Sequence, residues 1–309
     1  MRPIRTILCS VDLSPFSRRE VELAVELARA FGAGLVLHHN LPSTGYGMAK
    51  SWEWKQEHPG ADAQKPAEET MSELAAAVPE GVPVETLITG GPLALGIAGL
   101  AEELPADLLL LGCHGCSTEE HSSLTENLMR WCDCPLLVVH EGEGHEWFLH
   151  VEGAERRLRF LVPTDFSPAS REALRSAYWL AERLPAEIHL LHVLGVNPPA
   201  VRPMEPVAPA PPVASSAYYR EAVRAEARER MAELVPEGME DRVVQHVEPG
   251  RAEDVILQLA EEVRPDLILM GEHARDLLHR FFTHDTAKGV LHRAACPVWF
   301  APPPKEVAA

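Results

Sequence analysis

The sequence predicts an α/β protein of two tandem domains, each a five-stranded parallel sheet with helices on both faces. Two observations carry that prediction. First, the chain is written twice. TILCSVDLSPFSRREVELAVELARAFGAGLVLHHNL opens one copy, and RFLVPTDFSPASREALRSAYWLAERLPAEIHLLHVL opens the other. Asp12, Ser14, Pro15 and His39 fall on Asp165, Ser167, Pro168 and His192 at a single offset without a gap. The copies also end alike: Gly112, His114 and Cys134-Pro135 match Gly271, His273 and Cys296-Pro297. Second, short apolar runs alternate with stretches of helical periodicity inside each copy. That order buries a parallel sheet between helices.

Each element follows from local chemistry. TILCSV and RFLVPT are short apolar strands. Asp-Leu-Ser-Pro and Asp-Phe-Ser-Pro turn the chain out of them, with Ser17 and Ser170 as the expected helix N-caps and Glu20 and Glu172 in the first turn. Val21, Ala24, Val25, Leu27 and Ala28 give the first helix one apolar face, and Gly32 and Gly34 end it. The strand GLVLHHNL comes next, matched by AEIHLLHVL in the second copy. Then come a helix near 66–78, the strand VPVETLIT, a helix near 91–103, the strand DLLLLG, a helix over 122–131 and the strand PLLVVH. QHVEP, EDVILQLAEEV, DLILMG, DTAKGVLHRA and PVWFA repeat this order. The domains are expected at 1–142 and 158–303, with a polar linker at 143–157 on which Trp147, Phe148 and Leu149 pack back. Inserts at 41–66 and 195–217 leave the carboxyl ends of strands, where such folds place ligands. The second insert is too rich in proline for a regular element. Trp52 and Trp54 in the first are read as packing residues.

Composition excludes several classes. Acidic residues number 46 against 28 basic ones, for a formal net charge of −18. A duplex-binding protein needs a basic face for the phosphates, and none is visible. No apolar run approaches the ~20 residues that span a bilayer, and no apolar leader with a cleavage site opens the chain. A cytoplasmic protein with neither nucleic-acid nor membrane partners is expected. Six cysteines in 309 residues do not make a disulfide framework. The enzyme signatures G-x-S-x-G and H-E-x-x-H are missing.

The repeated pieces, taken together, resemble the universal stress protein (UspA-like) family: V-D-x-S near the start, a strand ending L-H, an Asp-led strand ending G-x-H-G, and Cys-Pro before the last strand. The resemblance spans all but the linker, the inserts and the tail. It implies Rossmann-like domains that pair through their last strands as a pseudo-twofold dimer, with a stress-response or regulatory role. It also implies an ATP site, with Mg²⁺, in members that carry G-x2-G-x9-G-S/T. Carried onto this chain, that site comprises Asp12, Asn40, Gly112, His114, Gly115, Ser122 and Ser123, with Asp165 and Gly271 as remnants in the second copy. Glycines after a strand let the backbone approach phosphates, and free N–H groups at the next helix start hold them.

The pattern is altered in both copies. In the first, alignment back from Cys134-Pro135 puts Ser122 at the third glycine, with only CSTEEH between it and Gly115. That shortened loop carries Glu119 and Glu120, which repel a triphosphate unless a cation intervenes. In the second, Ala274 replaces the second glycine and His284-Asp285 the Gly-Ser pair, so that Asp285 reads as an N-cap, while Arg275, His279 and Arg280 make the loop basic. Asp12 and Asp165 can also serve as plain turn residues that accept backbone N–H bonds. His39 and His192 read as satisfied core histidines. Cys113, Cys116, Cys132 and Cys134 have pair-loop-pair spacing, which opens a metal or redox alternative, and Cys9, Cys134 and Cys296 read as inert core residues. The remaining alternative is an interaction module that has lost its pocket and meets a protein partner through the inserts. Homo-oligomer formation is compatible with either reading, and any hydrolysis of ATP would be weak.

Overall fold

The computed structural model describes residues 2–41, 61–113, 119–140, 157–195, 217–271 and 284–302. The first copy runs β1 (Thr6–Ser10), α1 (Ser17–Phe31), β2 (Gly34–Leu41), α2 (Ala61–Ala76), β3 (Val84–Gly90), α3 (Leu93–Glu103), β4 (Leu108–Cys113), α4 (Glu119–Trp131) and β5 (Leu136–His140). The second runs β6 (Leu158–Thr164), α5 (Pro168–Ala181), β7 (Ala186–Gly195), α6 (Ala217–Ala232), a 3-10 turn (Glu240–Arg242), β8 (Val243–Gly250), α7 (Ala252–Val263), β9 (Leu267–Gly271), α8 (His284–Arg293) and β10 (Val298–Ala301). The inserts are shorter than expected, because Ala61 to Pro66 belong to α2 and Ala217 opens α6. The linker core, Trp52 and Trp54 lie outside the described residues.

All ten strands form one sheet in the order β3-β2-β1-β4-β5-β10-β9-β6-β7-β8. Pairing is parallel within each copy. At the centre β5 and β10 pair antiparallel, with Val138 opposite Val298, Leu137 opposite Trp299 and Leu136 opposite Phe300. The last strands of the two copies therefore join the halves, as the resemblance implies.

Strand alternation sorts the apolar side chains onto two faces. Ile7, Cys9, Leu35 and Leu37 pack with α1, α2, α5 and α6 on one face. Leu8, Val36, Leu109 and Leu111 pack with α3, α4, α7 and α8 on the other. Each core contains residues of both copies. Across the seam, Lys288 Nζ of α8 lies 3.0 Å from Glu126 Oε1 of α4. His140 also bonds the Leu291 carbonyl through Nε2.

The helix starts differ from expectation. Ser167 caps α5, accepting the Ser170 N–H at 3.2 Å with Pro168 pre-set in the first turn, and Ser170 lies inside the helix. In the first copy Phe16 takes the cap position without a side-chain bond. The Ser17 hydroxyl instead donates to Asp12 Oδ1 at 3.0 Å, so it is committed to the preceding turn. Gly32 ends α1 as expected, at φ 66°, a left-handed conformation that costs a glycine little.

Candidate functional site

In each half the strand order turns back beside the first strand. β1 has β2 on one side and β4 on the other, and β6 likewise separates β7 from β9. Helix α1, which follows β1, packs on one face of the sheet and α4, which follows β4, on the other, so the carboxyl ends of β1 and β4 border the crevice position that ligands usually take in such sheets.

Asp12 leaves β1 at this crevice. Its Oδ1 accepts the Ser14 N–H at 2.8 Å as well as the Ser17 hydroxyl. Asp165 makes the same turn, accepting the Ser167 N–H at 3.0 Å. The turn role expected of both is present. The residue after each aspartate holds a left-handed backbone, Leu13 at φ 63° and Phe166 at φ 65°. Bulky side chains rarely adopt that conformation, and both copies keep it at the same point. Nothing in the sequence signals it, since neither position is glycine or asparagine.

Asn40 stands near the carboxyl end of β2, held by a polar chain that sequence reading missed. Its Nδ2 donates to the Gly91 carbonyl at 3.1 Å, so its Oδ1 faces Thr89, whose hydroxyl donates to it at 3.0 Å. Thr89 Oγ1 must then accept from His38 Nε2, 2.8 Å away, which leaves Nδ1 to accept from the Ser10 hydroxyl at 3.0 Å. His38 is fully buried, and burial lowers its pKa to about 4, with His39 adding to the shift. The ring is therefore neutral, as that bonding order requires. The second copy has Pro163 and Leu191 in place of Ser10 and His38. A serine and a histidine on inward positions of apolar strands were the available signal.

Gly112 lies on β4 and faces α1. A methyl group there would fall 1.4 Å from Glu20 Oε1, and Glu20 is only 1% exposed. Gly271 has the same role against α5, where a methyl group would fall 2.0 Å from the Ala169 carbonyl oxygen. Close helix–strand approach thus explains both glycines. His114 and Gly115 lie outside the described residues. Ser122 and Ser123 do not stand at a helix start, because α4 begins at Glu119 and encloses them. The first described residues of α4 are Glu119 and Glu120. Similarly, α8 begins at His284, so Asp285 is in the first turn and is not the cap. Arg275, His279 and Arg280 lie outside the described residues.

His39 and His192 are satisfied, with Nδ1 atoms 2.8 Å from the carbonyls of Val11 and Thr164, but both are half-buried; the buried histidines among the described residues are His38 and His189. Cys116 lies outside the described residues, and the structure does not bring Cys113 together with Cys132 and Cys134. Cys113 pairs with His140 at the carboxyl end of β5, whereas Cys132 and Cys134 precede that strand, roughly 20 Å away at about 3.3 Å per residue. Among the described residues no group of three or more His, Cys, Asp or Glu side chains could hold a metal ion. Cys9 and Cys296 are buried as expected, and burial pushes the Cys296 thiol to about 12. Cys134 is only half-buried, and Cys132 is the buried member of that pair.

Residues 3–140 and 157–302 each match the model of the universal stress protein family, so the chain belongs to that family and carries its domain twice. A universal stress protein of Methanocaldococcus jannaschii is 29% identical over 150 residues, covering 48% of this chain and 84% of the relative. Universal stress protein A homolog 1 of Coxiella burnetii is 27% identical over 138 residues, covering 45% of this chain and 91% of its own. A crystal structure of a universal stress protein from Archaeoglobus fulgidus shares the fold across 97% of both chains, at 17% identity and a TM-score of 0.64. Among the described residues no helix is long and apolar enough to cross a membrane.

Proposed function

We propose that this universal stress protein is a regulatory adenine-nucleotide binder that takes ATP with Mg²⁺ in the crevice of its first copy. The supporting observation is that Asp12 and Gly112 flank that crevice at the ends of adjacent strands, with Ser10 in register with Leu111 beside them. Asn40, pinned through Thr89 and His38, completes its rim on β2. Asp12 leaves β1 there, and Glu119 and Glu120 follow the Gly112 strand within a few residues of sequence, so the charge on offer is acidic. A bare triphosphate is repelled there, so the divalent cation is required for binding. No ligand is assigned to the second copy, where Pro163, Leu191 and Ala274 replace Ser10, His38 and the second glycine.

Asp12 and Asp165 make equivalent turn bonds, which supplies an internal control. Equilibrium ATP binding is measured with and without Mg²⁺ on the full chain and on the Asp12→Ala and Asp165→Ala variants. The expected result is binding at about micromolar Kd with Mg²⁺, a ~8 kcal/mol interaction, that Asp12→Ala weakens and Asp165→Ala leaves intact. Equal losses in both variants would reduce the two aspartates to turn residues. No binding by the parent at millimolar ATP would end the nucleotide reading.

A further inference from the structure

A second concave site lies away from the crevice, at the opposite end of the first copy's sheet. It is a cavity of about 490 Å³ between the copies. Trp131, Cys132 and Cys134 line it from the end of α4 and the approach to β5, and Glu172 and Arg175 of α5 line it from the second copy. Trp131 is 44% exposed, an unusual position for a large aromatic ring unless it borders a recess.

Both cysteines are thiols. The chain bends between α4 and β5, at Asp133 and Cys134, and both cysteines line the cavity there. Cys132 and Cys134 stand two residues apart in that bend, on one wall of the cavity. Cys132 is 7% exposed and packs in the core, whereas Cys134 faces the cavity and is half-buried. Cys134 is thus the more exposed of two neighbouring thiols on the cavity wall, and Cys132 is the more deeply packed. This is the arrangement of an attacking and a resolving cysteine.

We propose that Cys134 and Cys132 form a redox-active dithiol, which a hydroperoxide entering the interdomain cavity oxidises to an intrachain disulfide. The Cys134 thiolate attacks one peroxide oxygen. The O–O bond breaks, the alcohol or water leaves with a proton, and Cys134 becomes a sulfenic acid. The Cys132 sulfur then attacks the Cys134 sulfur, the S–O bond breaks, and water leaves carrying the Cys132 proton. Two thiols are oxidised by two electrons and one peroxide is reduced. The neighbouring Cys132 side chain favours the Cys134 thiolate and outweighs burial and the repulsion of Asp107 and Asp133, so this thiol ionises more readily than an ordinary cysteine. Cys9 and Cys296 are held the other way, pushed up by burial. The site is independent of nucleotide in the crevice.

The reduced full chain is exposed to hydrogen peroxide, its remaining thiols are blocked with N-ethylmaleimide, and intact mass and peptide maps are recorded. The expected product has lost two hydrogen atoms, with the crosslink mapped to Cys132–Cys134 and reversed by dithiothreitol. Cys132→Ser should stop at a dimedone-trappable sulfenic acid on Cys134, and Cys134→Ser should abolish the crosslink. A Cys113→Ser/Cys116→Ser double variant should retain it. Full alkylation of Cys132 and Cys134 in the peroxide-treated parent overturns the proposal without recourse to any variant. So does a disulfide confined to other cysteines, or a Cys134 that over-oxidises in the parent with no disulfide.

Discussion

At the residue scale, His38 gives the first copy a pH dependence. Its ring is neutral in the fold because burial drives its pKa from 6.5 to about 4. The unfolded chain therefore binds a proton that the folded chain does not over the interval between those values. The associated stability is fully present above pH 6.5 and is lost as pH falls toward 4, by at most about 3 kcal/mol. Burial lowers His189, His192 and His246 as well, so their contributions have the same sign. Urea unfolding at a series of pH values should show stability falling across that window, and His38→Gln should flatten the fall. An unchanged slope in the variant would mean that the ring is already charged, or solvated, in the native state.

At the scale of elements, two glycines set how closely helices approach the sheet, but they face different neighbours. Gly112 accommodates a side chain, Glu20, which can move; Gly271 accommodates the α5 backbone, which cannot. Gly112→Ala should cost about 1–3 kcal/mol by overpacking, and Glu20→Ala in the same chain should recover most of it. Gly271→Ala should cost more, and no single side-chain truncation should rescue it. Chemical denaturation of the four variants checks this, and additive losses for Gly112→Ala and Glu20→Ala would contradict it. The same pair shows what the sequence could reveal. The repeat made the glycines visible as matched positions and motif resemblance suggested a phosphate role, but the helix behind each one is a tertiary fact. The succession of elements and most boundaries were legible because burial imposes its period directly on the residues, whereas the order of strands across the sheet was not. The start of α4 was misjudged because alignment from Cys134-Pro135 counts residues and carries no information on where a helix begins; Glu119 and Glu120 were the better signal. The His38 chain was hidden because Ser10, Thr89 and Asn40 come from three strands. The interdomain cavity was hidden because its walls come from both copies.

At the scale of the whole molecule, the antiparallel seam makes one folding unit from two copies. Each of the two cores draws on both halves, and Trp299, 1% exposed, lies at the midpoint of the seam opposite Leu137. The two halves should therefore unfold in one transition, with the same midpoint by fluorescence and circular dichroism. Trp299→Ala should lower stability by about 3–5 kcal/mol. Two separated transitions in the parent chain would show that the seam is too weak to couple the halves. The covalent joining of those halves has a further consequence. In an assembly of two identical chains, every substitution is made twice, so a pocket cannot be kept in one partner and abandoned in the other. One polypeptide that supplies both partners is free of that constraint. Pro163 and Leu191 could replace the polar pair on one side while Ser10 and His38 remained on the other. The fused chain thus lets its two halves change independently while both still complete the sheet.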